Sequence, residues 1–334
     1  MSRPSELNVL DVVVGIVRDA RDHVLIQQRD DGPFAGLWEF PGGKRKSGES
    51  DFAALKRELE EELAISVRAS RPLIRLQHRY PDRVVLLSTY EVLDYDGVPA
   101  AAEGQPLRWV QPRALLEEPM LPADRPISVA INLPSRYGIV SADGARPARC
   151  KDAVLTSIRA LVADGVSLIG LRLSGVDEAV ADQAARAAAA CCREHGVGLV
   201  LHGDGKMSER VRACSAAGLN VAAKALPDLA SRPVDGDVWF GVTAHSAGEL
   251  EDAQRLGADF AVFDPVTDSK RSSESDEHSG VSSDALWSEF SELVANRALP
   301  VYRTLADADD RAVDAARTHG GQGVAFEWRL RGDQ

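Results

Sequence analysis

The feature that most constrains the fold is a regular alternation of short apolar strands and amphipathic helices that begins at residue 137. The first strand pattern covers residues 137–141, the eighth covers 323–328, and helical patterns occupy the seven intervals between them. Among these helices, 151–164 and 177–195 have the clearest apolar periodicity. Strands that each lead into a helix predict a parallel sheet covered by helices.

Two architectures satisfy this alternation, a closed (β/α)8 barrel of the TIM type and an open doubly wound sheet. The barrel is favoured because the first strand is not followed by the Gly-x-Gly-x-x-Gly turn of dinucleotide-binding open sheets. The polar, Ser-rich segment 267–280 predicts a loop after the sixth strand, on the side where barrels place their active sites. We therefore predict an α/β barrel domain over residues 135–334, lacking most of its last helix.

Residues 1–131 have a different pattern, which predicts a separate α+β domain. Its strands are predicted at 11–17, 23–28, 84–92 and 107–110, the first two joined by a polar turn. Residues 50–63 predict one helix because Phe52, Leu55, Leu59 and Leu63 recur every three or four positions. Prolines punctuate the exit from this domain, at positions 122, 126 and 134.

Composition limits the partners. Lys and Arg number 39 against 51 Asp and Glu, a net charge of −12, which disfavours binding of a nucleic-acid polymer. A small nucleotide that carries its own divalent cation is compatible with this charge. No apolar run is long enough for a membrane span, and the N-terminus lacks the order of a signal peptide. The four cysteines have no metal-ligand spacing, and we predict reduced, buried thiols in a cytoplasmic protein.

The densest chemical signal lies on the predicted helix 50–63. Glu58, Glu61 and Glu62 occupy positions i, i+3 and i+4, so one helix face presents three carboxylates. These charges repel one another unless a hard cation such as Mg²⁺, which prefers oxygen ligands, lies among them. The alternative is a solvated acidic face that pairs with Lys56 and Arg57.

The spacing of this segment resembles the Nudix box, Gly-x5-Glu-x7-Arg-Glu-apolar-x-Glu-Glu-x-Gly-apolar. The matching residues are Gly43, Glu49, Arg57, Glu58, Leu59, Glu61, Glu62 and Ile65. Ala64 stands where the pattern has its second Gly, and a non-Gly residue is strained where a chain leaves a helix with positive φ. Ala64 carries no ligand, so this departure leaves the expected catalysis intact.

The resemblance extends over residues 8–130 to the MutT-like branch of the Nudix family. It is carried by GLWEFPGG at 36–43, YPDR at 80–83, EGQ at 103–105, RWV at 108–110 and LPADRP at 121–126. It implies a mixed sheet sandwiched by helices. It also implies hydrolysis of 8-oxo-dGTP to 8-oxo-dGMP and pyrophosphate, which keeps a miscoding base out of DNA.

The same resemblance implies roles for individual residues. Mg²⁺, or Mn²⁺ as a substitute, would be held by Gly42, Glu58, Glu61, Glu62 and Glu103. Glu103 has the alternative role of general base, and Arg57 would hold the carboxylates in place by bonding Glu49 or Glu58. The substrate would be contacted by Arg29, Glu39, Phe40, Pro41, Gly42, Arg83 and Asp124. Of these, Arg29 is expected at the phosphates and Arg83 near the base; simple surface charges are the alternative for both.

Asp124 departs from the MutT-like pattern, which usually has Asn there. An Asn amide accepts from N7–H of 8-oxoguanine and donates to O6 at once. An ionised Asp accepts from N7–H but repels O6, whereas a protonated Asp makes both bonds, and burial favours that form. The alternative is that Asp124 only caps the following helix.

The second domain resembles the thiamin-phosphate synthase/TenI family of barrels. The resemblance is carried by LIGLRL at 168–173, GVTAHSAGELEDAQRLGA at 241–258 and DFAVFDPV at 259–266. The residues that handle phosphate in that family are replaced, at 174–175, 202–204 and 304–306. Losing glycines and basic side chains together predicts a degenerate barrel that binds a ligand or serves structure. His202, Asp204 and His245 are candidates for a remnant site, with satisfied core histidines as the alternative.

We therefore expect an enzyme, a Mg²⁺-dependent Nudix pyrophosphohydrolase of oxidised guanine nucleotides. The alternative is a Nudix hydrolase of thiamin-related diphosphates, with the barrel as a metabolite-binding or residual synthase domain. A nucleoside triphosphate is the expected partner, and neither nucleic-acid polymer nor membrane is expected. The oligomeric state is left open.

Overall fold

The computed structural model describes residues 8–142, 146–265, 283–306 and 308–329 of the 334-residue chain. The loop predicted at 267–280 lies outside the described residues, and so do the residues after Arg329. Contacts divide the chain into two compact units. The first contains the described residues up to Asn132 together with Ser288–Pro300 and Arg317–Gly321, and the second contains the rest.

The N-terminal part consists of seven strands and two α-helices among its described residues. The strands are β1 (Asn8–Ile16), β2 (Val24–Gln28), β3 (Trp38–Glu39), β4 (Gly42–Lys44), β5 (Ser66–Arg79), β6 (Arg83–Asp96) and β7 (Leu107–Val110). The α-helices are α1 (Asp51–Leu63) and α2 (Arg125–Asn132). Two short 3-10 helices cover Gly32–Phe34 and Pro112–Leu116.

These strands form two sheets. The first is mixed, in the order β4-β1-β6-β5, with β1 parallel to β6 and the other neighbours antiparallel. The second is antiparallel, in the order β3-β2-β7. The α+β prediction is therefore confirmed. However, β1 and β2 enter different sheets, although the sequence connects them by a polar turn.

Strand β5 was not predicted from the sequence. It pairs with β6 along 14 residues, but its register shifts between Val67 and Ala69, between Ala69 and Ser70, and between Pro72 and Ile74. Such bulges break the alternation of inward and outward side chains. The strand therefore lacks the two-residue hydrophobic period from which strands are predicted.

Helix α1 forms where the apolar period predicts it. The Ser50 side chain accepts from the Ala53 N–H at 3.2 Å and caps the first turn. The buried face consists of Ala54, Leu55, Leu59 and Leu63. Phe52 is 43% exposed, so the buried stripe excludes it. Ala64 ends the helix in the left-handed region with φ of 56°, the conformation expected at the missing Gly.

The described residues from Arg136 onward contain eight strands and six α-helices. The strands are β8 (Arg136–Ser141), β9 (Leu168–Arg172), β10 (Gly198–Gly203), β11 (Gly218–Ala222), β12 (Trp239–Ala244), β13 (Phe260–Phe263), β14 (Val301–Thr304) and β15 (Gly323–Arg329). The α-helices are α3 (Pro147–Ala163), α4 (Glu178–Glu194), α5 (Ser208–Cys214), α6 (Ala247–Arg255), α7 (Ser283–Ala295) and α8 (Asp310–Thr318).

All eight strands are parallel and close into a barrel in which β15 pairs with β8. The predicted (β/α)8 barrel is therefore confirmed, and the open doubly wound sheet is wrong. The short helix predicted at 226–230 is a 3-10 helix at Ala223–Asp228. Pro227 lies inside it and has no N–H for an α-helical bond.

An aromatic layer fills the barrel interior. The rings of Tyr137, Phe260 and Tyr302 lie with centroids 5.7 to 5.9 Å apart. The Tyr137 hydroxyl shares a 2.7 Å hydrogen bond with Nε2 of the buried His202. Gly170 leaves room for this ring, because a Cβ there would lie 2.6 Å from that nitrogen. His202 is thus a satisfied core histidine.

Two further sequence expectations concern cysteines and membranes. All four cysteines are buried and free of disulfide bonds, as predicted. Within the described ranges, no helix has both the length and the apolar character needed to cross a membrane.

Candidate active site

Arg57 on α1 ties several of the predicted carboxylates together. Its Nε and Nη2 atoms each donate to one carboxylate oxygen of Glu49 at 2.9 Å, as a bidentate pair. Its Nη1 atom donates to Glu58 at 2.7 Å and to Glu61 at 3.2 Å, and Nη2 also reaches the Lys44 carbonyl at 3.1 Å. The hydrogen bonds from Arg57 lower the pKa of Glu49 to about 2, so this carboxylate stays ionised.

Two glycines bring the backbone of β4 against α1. The Gly42 N–H donates to Oε2 of Glu62 at 2.9 Å. Gly42 has φ of +143°, and a Cβ there would lie 2.1 Å from the Val13 carbonyl oxygen. A Cβ on Gly43 would lie 2.3 Å from Oε2 of Glu58. The absence of a side chain therefore lets Glu58 approach β4 at Gly43, whereas at Gly42 it lets β4 lie against β1.

Glu62 lies in a poorly solvated environment. Burial raises the pKa of its carboxyl to about 7, against the opposing hydrogen bonds from the Gly42 N–H and the Gln27 side chain. The negative charges of Glu39 and Glu58 raise this pKa further. Glu61 differs, because half of its side chain is exposed.

Arg29 and Glu39 form an ion pair beside this carboxylate. Arg29 Nη1 donates to Glu39 Oε2 at 2.8 Å. Burial raises the pKa of Glu39, and the Arg29 guanidinium opposes that shift. The buried Gln27 stands opposite Glu39 in the β2–β3 register, and its side chain lowers the pKa of both Glu39 and Glu62. The guanidinium and the carboxylates thus form one connected polar network.

Asp124 is a buried acid next to the same network. Its Oδ2 accepts from the Phe40 N–H at 3.0 Å across 84 positions of sequence, rather than from the first turn of α2. Burial raises the pKa of Asp124 to about 8, and the charge of Glu39 adds to the shift, whereas Phe40 and Arg29 oppose it. At pH 7 the raised pKa favours the protonated carboxyl, which has a proton to donate.

Aromatic side chains adjoin Asp124. Burial and the charge of Asp124 raise the pKa of Tyr80, which marks the two groups as neighbours. The Tyr80 ring lies 5.4 Å from that of Phe34, and the Arg83 guanidinium lies 5.3 Å from its centroid. Arg83 also pairs with Asp82 at 3.3 Å. These groups form a wall of two aromatic rings, tilted by 46° to each other, with a guanidinium over one of them.

The remaining predicted residues take peripheral positions. Glu103 is exposed and accepts from Gln105 Nε2 at 3.1 Å. Its loop is nevertheless fixed to the end of α1, because the Ala102 N–H donates to the Glu62 carbonyl oxygen at 3.0 Å. The Pro41 carbonyl accepts from the Gly15 N–H at 2.9 Å and thereby anchors the turn before Gly42.

Family profiles match both parts of the chain. The profile of the NUDIX domain matches residues 13–129, and that of thiamine monophosphate synthase matches residues 141–326. The CTP pyrophosphohydrolase of Escherichia coli is 36% identical over 121 residues, covering 36% of this chain and 90% of that protein. The chain belongs to the Nudix family through its first domain and to the thiamine monophosphate synthase family through its second.

Two further similarities concern one domain each. An 8-oxo-dGTP diphosphatase of Haemophilus influenzae is 39% identical to the Nudix domain over 108 residues, which cover 32% of this chain and 79% of that protein. A solved thiamine phosphate pyrophosphorylase from Pyrococcus furiosus covers 58% of this chain and 85% of its own, at 14% identity and a TM-score of 0.41. The Nudix domain is a hydrolase that acts on phosphoanhydride bonds.

The donor set of the Nudix domain fits a hard cation. In the part of the chain that the structure describes, no three acidic, His or Cys side chains already converge as a metal group. Mg²⁺ does not need such a group, since it is usually held by one or two carboxylates together with substrate phosphates and waters. Glu58 and Glu62, both against β4, supply oxygen donors of the required kind.

Sequence reasoning missed several residues that position the Nudix box. Gln27 links two carboxylates, as described above. Arg45 donates to Asp11 at 2.7 Å and to the Glu49 carbonyl at 3.2 Å, and it pairs with Asp51 at 3.3 Å. The Tyr90 hydroxyl donates to the same Asp51 at 2.7 Å. A signal was available for Arg45 and Asp51 only, which lie inside the box but at positions that the pattern leaves free.

The barrel residues proposed as a remnant site have separate partners. His202 bonds Tyr137 in the interior, and burial lowers its pKa to about 3, so the ring is neutral. Asp204 caps a 3-10 turn by accepting from the Lys206 N–H at 3.0 Å. His245 is exposed, and its Nδ1 bonds the Asp264 carbonyl oxygen at 2.6 Å, so it is not a core histidine.

Proposed function

We propose that residues 1–131 form a Mg²⁺-dependent nucleoside triphosphate pyrophosphohydrolase that converts 8-oxo-dGTP to 8-oxo-dGMP and pyrophosphate. The observation that carries this proposal is the buried Asp124 carboxyl beside the ion pair of Arg29 and Glu39, in the same domain as the Nudix box. The 8-oxo-dGTP diphosphatase relatives support it. In the cell, this activity would remove a miscoding nucleotide from the cytoplasmic pool, and residues 135–334 would form a separate domain.

We assign different residues to the metal, to the orientation of its ligands, to the phosphates and to the base. Glu58, Glu61 and Glu62, with the Gly42 carbonyl and Glu103, would hold Mg²⁺ (or Mn²⁺), which offsets charge on the phosphate oxygens and activates a water. Arg57 and Glu49 orient these carboxylates and contact no substrate. Arg29 meets the phosphates, and Arg83 lies at the base. The contacts of Arg57 with Glu49, Glu58 and Glu61 support its orienting role, and the metal and substrate assignments come from the family resemblance.

Asp124 would read the base through two adjacent atoms. 8-Oxoguanine presents an N7–H donor beside the O6 acceptor, whereas guanine presents two acceptors. A neutral carboxyl accepts with one oxygen and donates with the other, so it complements the oxidised base. The Phe40 N–H holds Oδ2 and thereby fixes the plane of the group. Phe40, Pro41 and Glu39 complete this side of the pocket.

A second candidate substrate is CTP, which a relative with 36% identity is named for. The exposed edge of cytosine carries the N4 amino donor beside the N3 acceptor. That edge has the same donor–acceptor order that a neutral Asp124 complements. The carboxyl therefore explains both relatives with one hydrogen-bonding pattern.

A competition assay of the full-length protein with Mg²⁺ tests the proposal. The panel contains 8-oxo-dGTP, dGTP, CTP and thiamin diphosphate, with release of pyrophosphate or phosphate measured for each. We expect the highest kcat/KM for 8-oxo-dGTP. A preference for CTP would select the second candidate, and a preference for thiamin diphosphate would overturn both and favour the thiamin-related alternative.

A further inference from the structure

The barrel has a cavity of about 810 Å³ at the ends of its strands, a volume suited to a small molecule. Its described lining comes from β8, β9, β12, β13, β14 and β15 and the residues that follow them. Arg172, Thr243, Asp264 and Glu327 supply polar groups there, and Ile139, Val262, Leu305 and Trp328 supply apolar ones. Nothing in the Nudix chemistry uses these residues.

The charges of this lining are unequal. Arg172 is its one cation among the described lining residues, and its Nη1 already donates to Glu327. Asp264 contributes a second carboxylate and has His245 beside it, so wherever that imidazole is neutral one guanidinium faces two carboxylates. Burial raises the pKa of Asp264, which indicates that this carboxylate is incompletely solvated. An added cation would therefore be attracted, whereas an added anion would be repelled.

The hydroxyl of Thr243 indicates whether a ligand would donate or accept a hydrogen bond at this position. Its Oγ1 donates to Oδ1 of the buried Asn220 at 2.7 Å, so its proton points away from the cavity. The hydroxyl oxygen can then only accept from a ligand. A ligand that carries N–H groups satisfies this acceptor and the two carboxylates together.

We propose that this cavity binds an organic cation with N–H donors and a flat apolar body, and not a phosphate ester. The two carboxylates and Thr243 would receive the N–H groups. The indole of Trp328 and the apolar floor would cover the body, since aromatic faces attract cations as well as apolar surface. This site is independent of the proposed nucleotide hydrolysis, because it uses none of the same residues.

Three isosteric probes that differ in charge test the proposal. Benzamidine is a cation with N–H donors, benzamide is neutral, and benzoate is an anion. Ligand-observed NMR titrations of the full-length protein with saturating Mg²⁺ give a dissociation constant for each. We expect benzamidine to bind on the order of 1 mM, as small probes do, and to bind more tightly than benzamide or benzoate.

Variants place the binding in the barrel. Asp264→Asn and Glu327→Gln should each weaken benzamidine roughly two- to fivefold, as expected for partly exposed ion pairs. The double variant leaves Arg172 without its partner carboxylate and should reverse the preference toward benzoate. Glu251→Gln, at an exposed carboxylate on α6, is the matched control and should change nothing.

Three outcomes would overturn the proposal. One is tighter binding of benzoate than of benzamidine by the wild-type protein. Another is benzamidine binding that neither Asp264→Asn nor Glu327→Gln weakens, which would place the probe elsewhere, for example at the Nudix carboxylates. The third is no binding of benzamidine at 20-fold above the expected constant, with circular dichroism showing a folded protein.

Discussion

Asp124→Asn is the substitution that most directly tests how the Nudix domain reads a base. The amide keeps the shape of the side chain and can still accept from the Phe40 N–H, which Oδ2 now does at 3.0 Å. It does not titrate. Burial raises the pKa of Asp124 from 3.8 to about 8, so the wild-type carboxyl donates a hydrogen bond below pH 8 and carries a charge above it.

The magnitude follows from the contact with O6 of 8-oxoguanine. Above pH 8, the wild-type protein loses a hydrogen bond of about 0.5–1.5 kcal/mol and gains a repulsion of similar size. The sum is about 1–3 kcal/mol, or roughly a five- to 150-fold loss in kcat/KM for 8-oxo-dGTP. The charged carboxylate repels both the N7 and the O6 acceptors of dGTP. The preference for 8-oxo-dGTP over dGTP therefore does not fall with this loss.

The assay compares wild-type protein and Asp124→Asn on 8-oxo-dGTP from pH 6 to 9.5. The quantity of interest is the ratio of their kcat/KM values, because titration of the nucleotide or of Glu62 affects both proteins and cancels. We expect a ratio that is constant below pH 7 and falls along a one-proton curve centred near pH 8. A flat ratio would refute the reasoning and leave Asp124 as a structural residue only.

The pH dependence of stability tests the raised pKa of Asp124 independently of catalysis. Because its folded-state pKa is raised, Asp124 contributes stability that is fully present below about pH 3.8 and is lost as pH rises to about 8. Asp124→Asn lacks this loss. The variant should therefore melt at a higher temperature than the wild-type protein at pH 8.5, and a lower melting temperature would contradict the raised pKa.

Three further substitutions test the scaffold of the box. Glu62→Gln should lower kcat by roughly 100-fold with no loss of melting temperature, because it removes a buried charge from a metal-dependent transition state; unchanged turnover at saturating Mg²⁺ would exclude Glu62 as a ligand. Arg57→Lys keeps the charge but loses the bidentate pair with Glu49, so kcat should fall roughly 10- to 100-fold at unchanged KM. Ala64→Gly should raise the unfolding free energy by about 0.5–1 kcal/mol in urea titrations, since φ of 56° suits glycine, while leaving kcat unchanged.

The sequence predicted those parts of the fold in which a local period matches the buried surface. Helix α1 and the strands of the barrel are of this kind, because each buries one stripe or a short apolar run. Strand β5 is not, since bulges shift its register three times. The separation of β1 and β2 into two sheets also has no local signal, because pairing depends on strands far away in sequence.

The candidate site shows the same division. The contacts of Arg57 with Glu49 and Glu58 were anticipated from the family resemblance and not from helix geometry, because Glu49 precedes α1 and Glu58 is the sequence neighbour of Arg57. The contact of Asp124 with Phe40 spans 84 positions, and nothing near either residue indicates it. Gln27 was missed for the same reason, since it reaches Glu39 only through the pairing of β2 with β3.

The protonation states of the carboxyl groups explain why the box alone does not identify the substrate. Glu49 and Asp124 have nearly the same chemistry in isolation, yet Arg57 holds the pKa of Glu49 near 2 and burial raises that of Asp124 to about 8. The first is therefore a fixed charge that organises the helix, and the second is a hydrogen-bond donor. A motif records residue types and spacing, so it captures the role of Glu49. The role of Asp124 depends on burial, which a motif does not record. The choice between 8-oxo-dGTP and CTP consequently rests on groups that surround a neutral Asp124, chiefly the Tyr80 wall and Arg83, and not on the metal-binding carboxylates that both substrates would share.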